Sequence, residues 1–172
     1  MGSSLLARLD ARDRALFARW TIARGAVGGG RRAWVGLTHL GGVWCSVAAA
    51  TLPVLAGGTI RVAALRALAG LVVSHVIVQI IKRHVLRERP AIAYEAWVSI
   101  PDAFSFPSGH ATAAMAVAFA YAVAFPSLAL PLMLVAAAIG FSRVVLRVHY
   151  PGDVLAGQAI AIVTDLVVFA LS

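Results

Sequence analysis

Residues 142–153 read SRVVLRVHYPGD, a basic and polar stretch at the junction of two apolar runs. Two more polar stretches interrupt similar surroundings: Lys82–Pro90, KRHVLRERP, and Phe106–His110, FPSGH. Charge placed at membrane depth is costly and is usually retained for function. The fold therefore turns on whether the runs around these stretches are long enough to cross a bilayer.

The composition says that they are. Of 172 residues, 61% are hydrophobic and 13% charged, whereas a soluble domain averages roughly half apolar and a quarter charged. Mean hydropathy is +0.89. The net charge of +8 raises the question of nucleic acid, but that reading requires a solvated basic face with base-reading groups. Here the arginines lie between apolar spans, so lipid or phosphate anions are the expected partners and nucleic acid is not. Cys45 is the single cysteine, which excludes an intrachain disulfide; as part of an apolar run it is expected to be a small buried residue. The first thirty positions hold no continuous apolar core, so no cleavable signal peptide is expected.

The predicted fold is an all-α polytopic transmembrane bundle of about five spans, preceded by an amphipathic interfacial helix. Ser3–Arg24 carries Leu5, Leu6, Leu9, Leu16, Phe17 and Trp20 at helical spacing, with Arg8, Arg12, Asp13 and Arg19 between them. Such a helix rests on the bilayer surface; the alternative is a solvated helix packed on the bundle. Gly25–Gly30 is expected to be a hinge. Residues 1–32 thus form an arm and hinge, and 33–172 the membrane domain. A crossing needs about 20 apolar residues. The expected spans are Trp34–Ala56, Arg61–Ile81, Ser108–Phe125, Leu132–Leu146 and Val154–Leu171. An up-and-down arrangement of these rods gathers all three polar stretches at one membrane face.

At that face Lys82, Arg89 and Arg143 offer a point charge and two bidentate forks, a set suited to a tetrahedral dianion. Ser108 is placed to cap a helix starting after Pro107, and Gly109 to let backbone N–H groups approach an anion. His149 and Asp153 are four apart across Tyr150-Pro151-Gly152. A helical turn there puts both on one face, where a carboxylate fixes one ring nitrogen and leaves the other as a nucleophile. His110, from another helix, is a candidate proton donor to a leaving alkoxide. The competing reading makes His110, His149 and Asp153 three metal ligands. Crowding by Lys and Arg at the same place opposes a dication.

These residues resemble the type 2 phosphatidic acid phosphatase superfamily, the metal-independent histidine phosphatases. That family carries Lys-x6-Arg-Pro, Pro-Ser-Gly-His and Ser-Arg-x5-His-x3-Asp. Here the motifs stand at Lys82 with Arg89-Pro90, at Pro107-Ser108-Gly109-His110, and at Ser142-Arg143 with His149 and Asp153. The resemblance implies a lipid phosphatase acting on a phosphomonoester or diphosphate, such as phosphatidic acid, phosphatidylglycerol phosphate or a polyprenyl diphosphate. It implies His149 as the nucleophile that becomes phosphohistidine, Asp153 as its orienter and His110 as the acid. Lys82, Arg89, Ser108, Gly109 and Arg143 would hold the phosphate, with no metal or cofactor. The family typically has six spans, against the five counted here.

Several residues stand outside these motifs. Arg147 is open between a second anion contact and a solvated or headgroup position. His75, Gln79 and Lys82 share a face of the second span, as a core hydrogen-bond pair or an inward extension of the polar site. His39 and Asp165 are intramembrane, with Asp165 expected to reach the far interface. His84 is expected to be solvated, and Glu95, Trp97 and Asp102 to shape an entrance. Arg8, Arg12, Arg14, Arg19, Arg24, Arg31 and Arg32 all precede the first span. The positive-inside rule therefore favours a cytoplasmic over a periplasmic site in a bacterial inner membrane. A transporter or flippase using the same charged cavity is the second hypothesis, which leaves His149 and Asp153 without a task.

Overall fold

The computed structural model describes residues 2–21, 30–90, 98 and 102–172. Gly25–Gly29 of the expected hinge, Glu95 and Trp97 lie outside the described residues, as do the side chains of Leu5, Leu6 and Leu9. Helix α1 spans Gly2–Trp20, α2 Gly30–Leu40, α3 Val43–Thr51 and α4 Gly58–Val85; α5 spans Gly109–Ala124, α6 Ala129–Val145 and α7 Pro151–Leu171. A 3-10 turn over Leu52–Ala56 follows α3, and another over Pro126–Leu128 precedes α6.

By length and hydropathy α4, α6 with its preceding turn, and α7 are able to cross a membrane. The expected first span is not one rod. It is α2 followed by α3, bent by 47°, and the pair counts as a fourth crossing if it is one broken span. The break falls at Gly41-Gly42, and close packing accounts for it: a Cβ at Gly41 would lie 2.4 Å from Ile139 Cγ2 and 3.2 Å from the His110 carbonyl. The expected third span is the 16-residue α5, short for a crossing but central to the bundle. It packs on α6 and α7 through Ala114, Met115, Ala116 and Ala118, and on α4 through Ala120. Small side chains suit this position, because helices in lipid associate through close van der Waals packing. Gly157 of α7 sits against the start of α5: a Cβ there would meet the Ser108 carbonyl and Thr112 Oγ1 at 2.7 Å.

Helix α1 does not lie apart from the bundle. Phe17 is buried against Tyr150 at 5.3 Å between ring centroids, and Trp20 meets Phe141 at 5.7 Å. The apolar stripe of the sequence thus has a protein partner at the ends of α6 and α7. Trp34 packs on the same Phe141 at 5.7 Å, whereas Trp44 is exposed. Cys45 corrects its expectation too: it is exposed on α3, on the side the bundle leaves uncovered. So does Asp165, which is 1% exposed and turned inward against Gly70 of α4 instead of reaching the interface.

Candidate active site

Helix α4 runs on past the apolar stretch to Val85 and ends on Leu86, whose φ of 49° reverses the chain. This delivers Lys82 and, a few residues later, Arg89 to the end of the bundle. The connection after α4 closes on itself at its roots. Ser105 N–H donates to the Arg87 carbonyl at 2.8 Å, and Glu88 pairs with Phe104. Ser108 caps α5, its hydroxyl accepting the Ala111 N–H, and its own N–H donates to the Asp153 carbonyl at 2.9 Å. The starts of α5 and α7 are therefore tied together.

Between α6 and α7 the chain makes a tight turn. The N–H groups of Val148 and His149 both donate to the Arg143 carbonyl, at 3.1 and 3.2 Å. Arg147 adopts φ 64° within it. The turn fixes His149 relative to Arg143. Pro151 opens α7 at its first position, where a missing N–H costs no hydrogen bond. The Asp153 side chain reaches back to the Tyr150 N–H at 2.8 Å.

Lys82, Arg89, Gly109, His110, Arg143 and His149 line one cavity of about 530 Å³. Ser108 does not line it; the residue is fully buried and its hydroxyl is committed to the cap. Asp153 stands behind His149 and is also fully buried. Its Oδ2 lies 3.5 Å from His149 Nδ1. On the other side of the ring, Arg89 Nη1 stands 2.9 Å from His149 Nε2. A guanidinium only donates, so Nε2 is the acceptor and the ring proton belongs on Nδ1, facing Asp153. That is the tautomer a nucleophilic Nε2 requires. Burial, with the charges of Arg89 and Arg143, pushes the His149 pKa down to about 4 against the pull of Asp153. The ring is neutral at neutral pH, and its Nε2 lone pair, which here accepts from Arg89, is unprotonated.

The cations also have partners that lie outside the three motifs. Asp102 bridges Lys82 at 2.8 Å and Arg89, whose Nε also donates to the Asp102 carbonyl at 2.9 Å. Burial works against the Asp102 charge, but the hydrogen bonds from Lys82 and Arg89 outweigh it and hold the carboxyl below its ordinary range. Arg143 donates to Thr38 of α2 at 2.7 Å. Arg147 is buried at 7% exposure and does not line the cavity, so neither the solvated position nor a contact in this pocket describes it.

Arg87 is the largest omission. It lies 2.7 Å from Asp153 Oδ1 and 2.8 Å from both Asp10 and Asp13 of α1. Its guanidinium stacks on Tyr150, 4.2 Å from the ring centroid. Asp13 also accepts the Gly152 N–H at 2.7 Å. The available signal was scarcity. The chain has seven acidic residues against fifteen basic ones, and Asp10, Asp13, Asp102 and Asp153 all engage these stretches. Among the described residues no cluster of three or more His, Cys, Asp or Glu side chains is placed to hold a metal ion. That leaves the three-ligand reading of His110, His149 and Asp153 without a geometry.

Known proteins resemble the chain in sequence and in fold. A decaprenylphosphoryl-5-phosphoribose phosphatase of Mycobacterium tuberculosis is 43% identical over 103 residues, covering 58% of this chain and 56% of that protein. An undecaprenyl-diphosphatase of Bacillus subtilis is 33% identical over 112 residues, covering 64% of this chain and 56% of that protein. The chain thus spans just over half the length of these relatives. In three dimensions the fold matches a transmembrane PAP2 type phosphatidylglycerolphosphate phosphatase of B. subtilis. The TM-score is 0.75 at 23% identity, covering 95% of this chain and 86% of that one. The model of the PAP2 superfamily matches residues 63–172, the segment that runs from α4 through both histidines to the end of α7. With that match added to the shared helical architecture, the chain belongs to the PAP2 superfamily.

Proposed function

We propose that this integral membrane protein is a lipid phosphate phosphatase working through a phosphohistidine at His149. The observation that carries the reading is the setting of one ring: a neutral, buried imidazole with Nδ1 toward Asp153 and Nε2 toward Arg89, at the cationic end of a largely apolar cavity. A lipid phosphate puts its headgroup among Lys82, Arg89, Gly109 and Arg143, whose charges hold the negative charge that spreads in the transition state. Nε2 attacks phosphorus, the bond from phosphorus to the lipid oxygen breaks, and His110 gives that oxygen its proton. A water then attacks the phosphohistidine and returns a proton to His110, and inorganic phosphate leaves. Asp153 steadies the imidazolium throughout. None of these steps calls for a metal or cofactor.

The substrate class follows the relatives: polyprenyl phosphate or diphosphate derivatives and phosphatidylglycerol phosphate, with phosphatidic acid in the same chemical group. The chain divides into an arm at 1–32 and a membrane domain at 33–172. The positive-inside rule supports a bacterial inner membrane setting with the site on the cytoplasmic face. The test is phosphate release by purified protein in detergent, with chelator present, against a panel of these lipids. Release should vanish in His149→Ala while lipid binding persists. Full turnover in that variant, or loss of turnover on chelation, overturns the scheme.

A further inference from the structure

The cavity is not uniform along its length. From Lys82 one stripe of α4 runs down its wall through Gln79, His75, Leu71 and Leu68. These positions precede Lys82 by three, seven, eleven and fourteen residues and share one helical face. At a rise of about 1.5 Å per residue, Gln79 lies roughly 4–5 Å below Lys82, His75 about 10 Å and Leu71 about 16 Å. Charge comes first, then hydrogen-bonding groups, then hydrocarbon. The wall from α3 adds Val43 and Val47 and, between them, Ser46, whose buried hydroxyl has no hydrogen-bond partner among the described residues.

Within a largely apolar wall this polar step calls for an occupant. His75 is exposed to the cavity side, and its Nε2 lies 3.4 Å from Gln79 Nε2. Among the described residues that is the one hydrogen-bond contact either side chain makes. With the ring nitrogen accepting from the amide, the ring Nδ1–H, the second amide N–H and the amide carbonyl remain unused. Polar groups at membrane depth are rare, characteristically line a cavity or meet a partner, and are typically retained for function. A cavity built only for a phosphate attached directly to a hydrocarbon chain would place apolar side chains here, as it does at Val72 and Val76.

We infer that His75 and Gln79 form a linker subsite. The preferred lipid carries a hydroxyl-bearing segment of glycerol or pentose size between the reacting phosphate and the apolar chain. The linker's hydroxyls bond to the unused donors and acceptor, while the chain continues past Leu71 and Leu68. This rests on the phosphatase reading of the same cavity.

The test uses three lipids with one chain: hexadecyl phosphate, 1-O-hexadecylglycerol 3-phosphate and hexadecyl ribofuranoside 5-phosphate. Full-length protein in detergent is assayed for each, as wild type and as His75→Leu/Gln79→Leu. The wild type should favour one or both linker lipids over hexadecyl phosphate in kcat/KM, the better one identifying glycerol or sugar. In the double variant that ratio should fall about tenfold or more through KM, the loss expected for one or two neutral hydrogen bonds. A ratio unchanged within about twofold, or an equal loss on all three lipids, overturns the subsite. Dissociation constants in a His149→Ala background measure the same ratio independently of turnover. If wild type hydrolyses none of the three, the catalytic reading fails, and these constants still decide whether the subsite exists.

Discussion

A buried imidazole between an arginine and a carboxylate has its proton affinity set by competing neighbours. At His149 burial and the two arginines prevail over Asp153, and the pKa falls to about 4. The folded protein therefore declines a proton that the unfolded chain accepts at about pH 6.5. Between those values the unfolded state binds more protons, so stability rises with pH through this window and is lost as pH falls through it. Nitrogen NMR of labelled histidines in micelles should show one ring, absent in His149→Ala, that stays neutral down to near pH 4. A titration near 6.5 would contradict this. Asp102 sets a second residue-level expectation. Its carboxylate holds Lys82 and Arg89, the same cations a phosphate would use. Asp102→Ala should tighten inhibition by inorganic phosphate by about tenfold, the low end of a charge-assisted hydrogen bond. Weaker inhibition would mean that Asp102 orders the cations more than it competes for them. The spacing of Lys82, Arg89, His149 and Asp153 carried the chemistry in the sequence. Asp102 was legible only as a residue near an entrance; its pairing with Lys82 and Arg89 was not, because it stands 13 positions after Arg89 and no helical or strand spacing links the two.

At the scale of elements, α1 is tied to the chemistry through Arg87, which joins Asp10 and Asp13 to Asp153. Removing the guanidinium strands a fully buried carboxylate. Breaking a buried pair from one side costs about 3–5 kcal/mol. Arg87→Met should lower the melting temperature in detergent and depress kcat more than KM, because Asp153 loses the partner that holds it beside His149. Asp13→Asn should do the same more weakly, since Asp10 still reaches Arg87. An Arg87→Met protein with wild-type kcat would dissociate α1 from catalysis. A second expectation concerns α5 and α7. Gly157→Ala pushes a methyl against the Ser108 carbonyl, and overpacking of this kind costs about 1–3 kcal/mol. Activity should fall with stability, since the same carbonyl begins the helix that carries His110. The helices were legible as apolar runs. The break at Gly41-Gly42 was not, because it answers to Ile139 and His110, groups about 70 to 100 residues away. The docking of α1 was half legible: its stripe was visible, but amphipathicity does not distinguish a lipid surface from Tyr150 and Phe141.

For the whole molecule, the distribution of charge bears on orientation in the membrane. If the bent α2–α3 pair and the short α5 each count as one passage, the chain crosses five times. The site end of the bundle then shares a side with α1, which the ion pairs of Arg87 and the Asp13 contact with Gly152 place there directly. At the other end Arg66 donates to Ser172 at 3.0 Å and stacks on Phe169, so residue 172 lies far from the histidines. Of the fifteen basic residues, only Arg61 and Arg66 sit toward that end, and Arg24 lies outside the described residues. The remainder cluster at the site end, on α1, the start of α2 and the three polar stretches. Basic residues near span ends are held on the cytoplasmic side. The expected outcome is that a reporter joined before residue 1 reads cytoplasmic and one joined after Ser172 reads non-cytoplasmic. Reversal of both signals would move the site to the outer face without disturbing its chemistry. Two signals on one side would instead remove a crossing, and the short α5, held in the centre by Ala114, Ala116 and Gly157, is the element whose passage would then have to be abandoned.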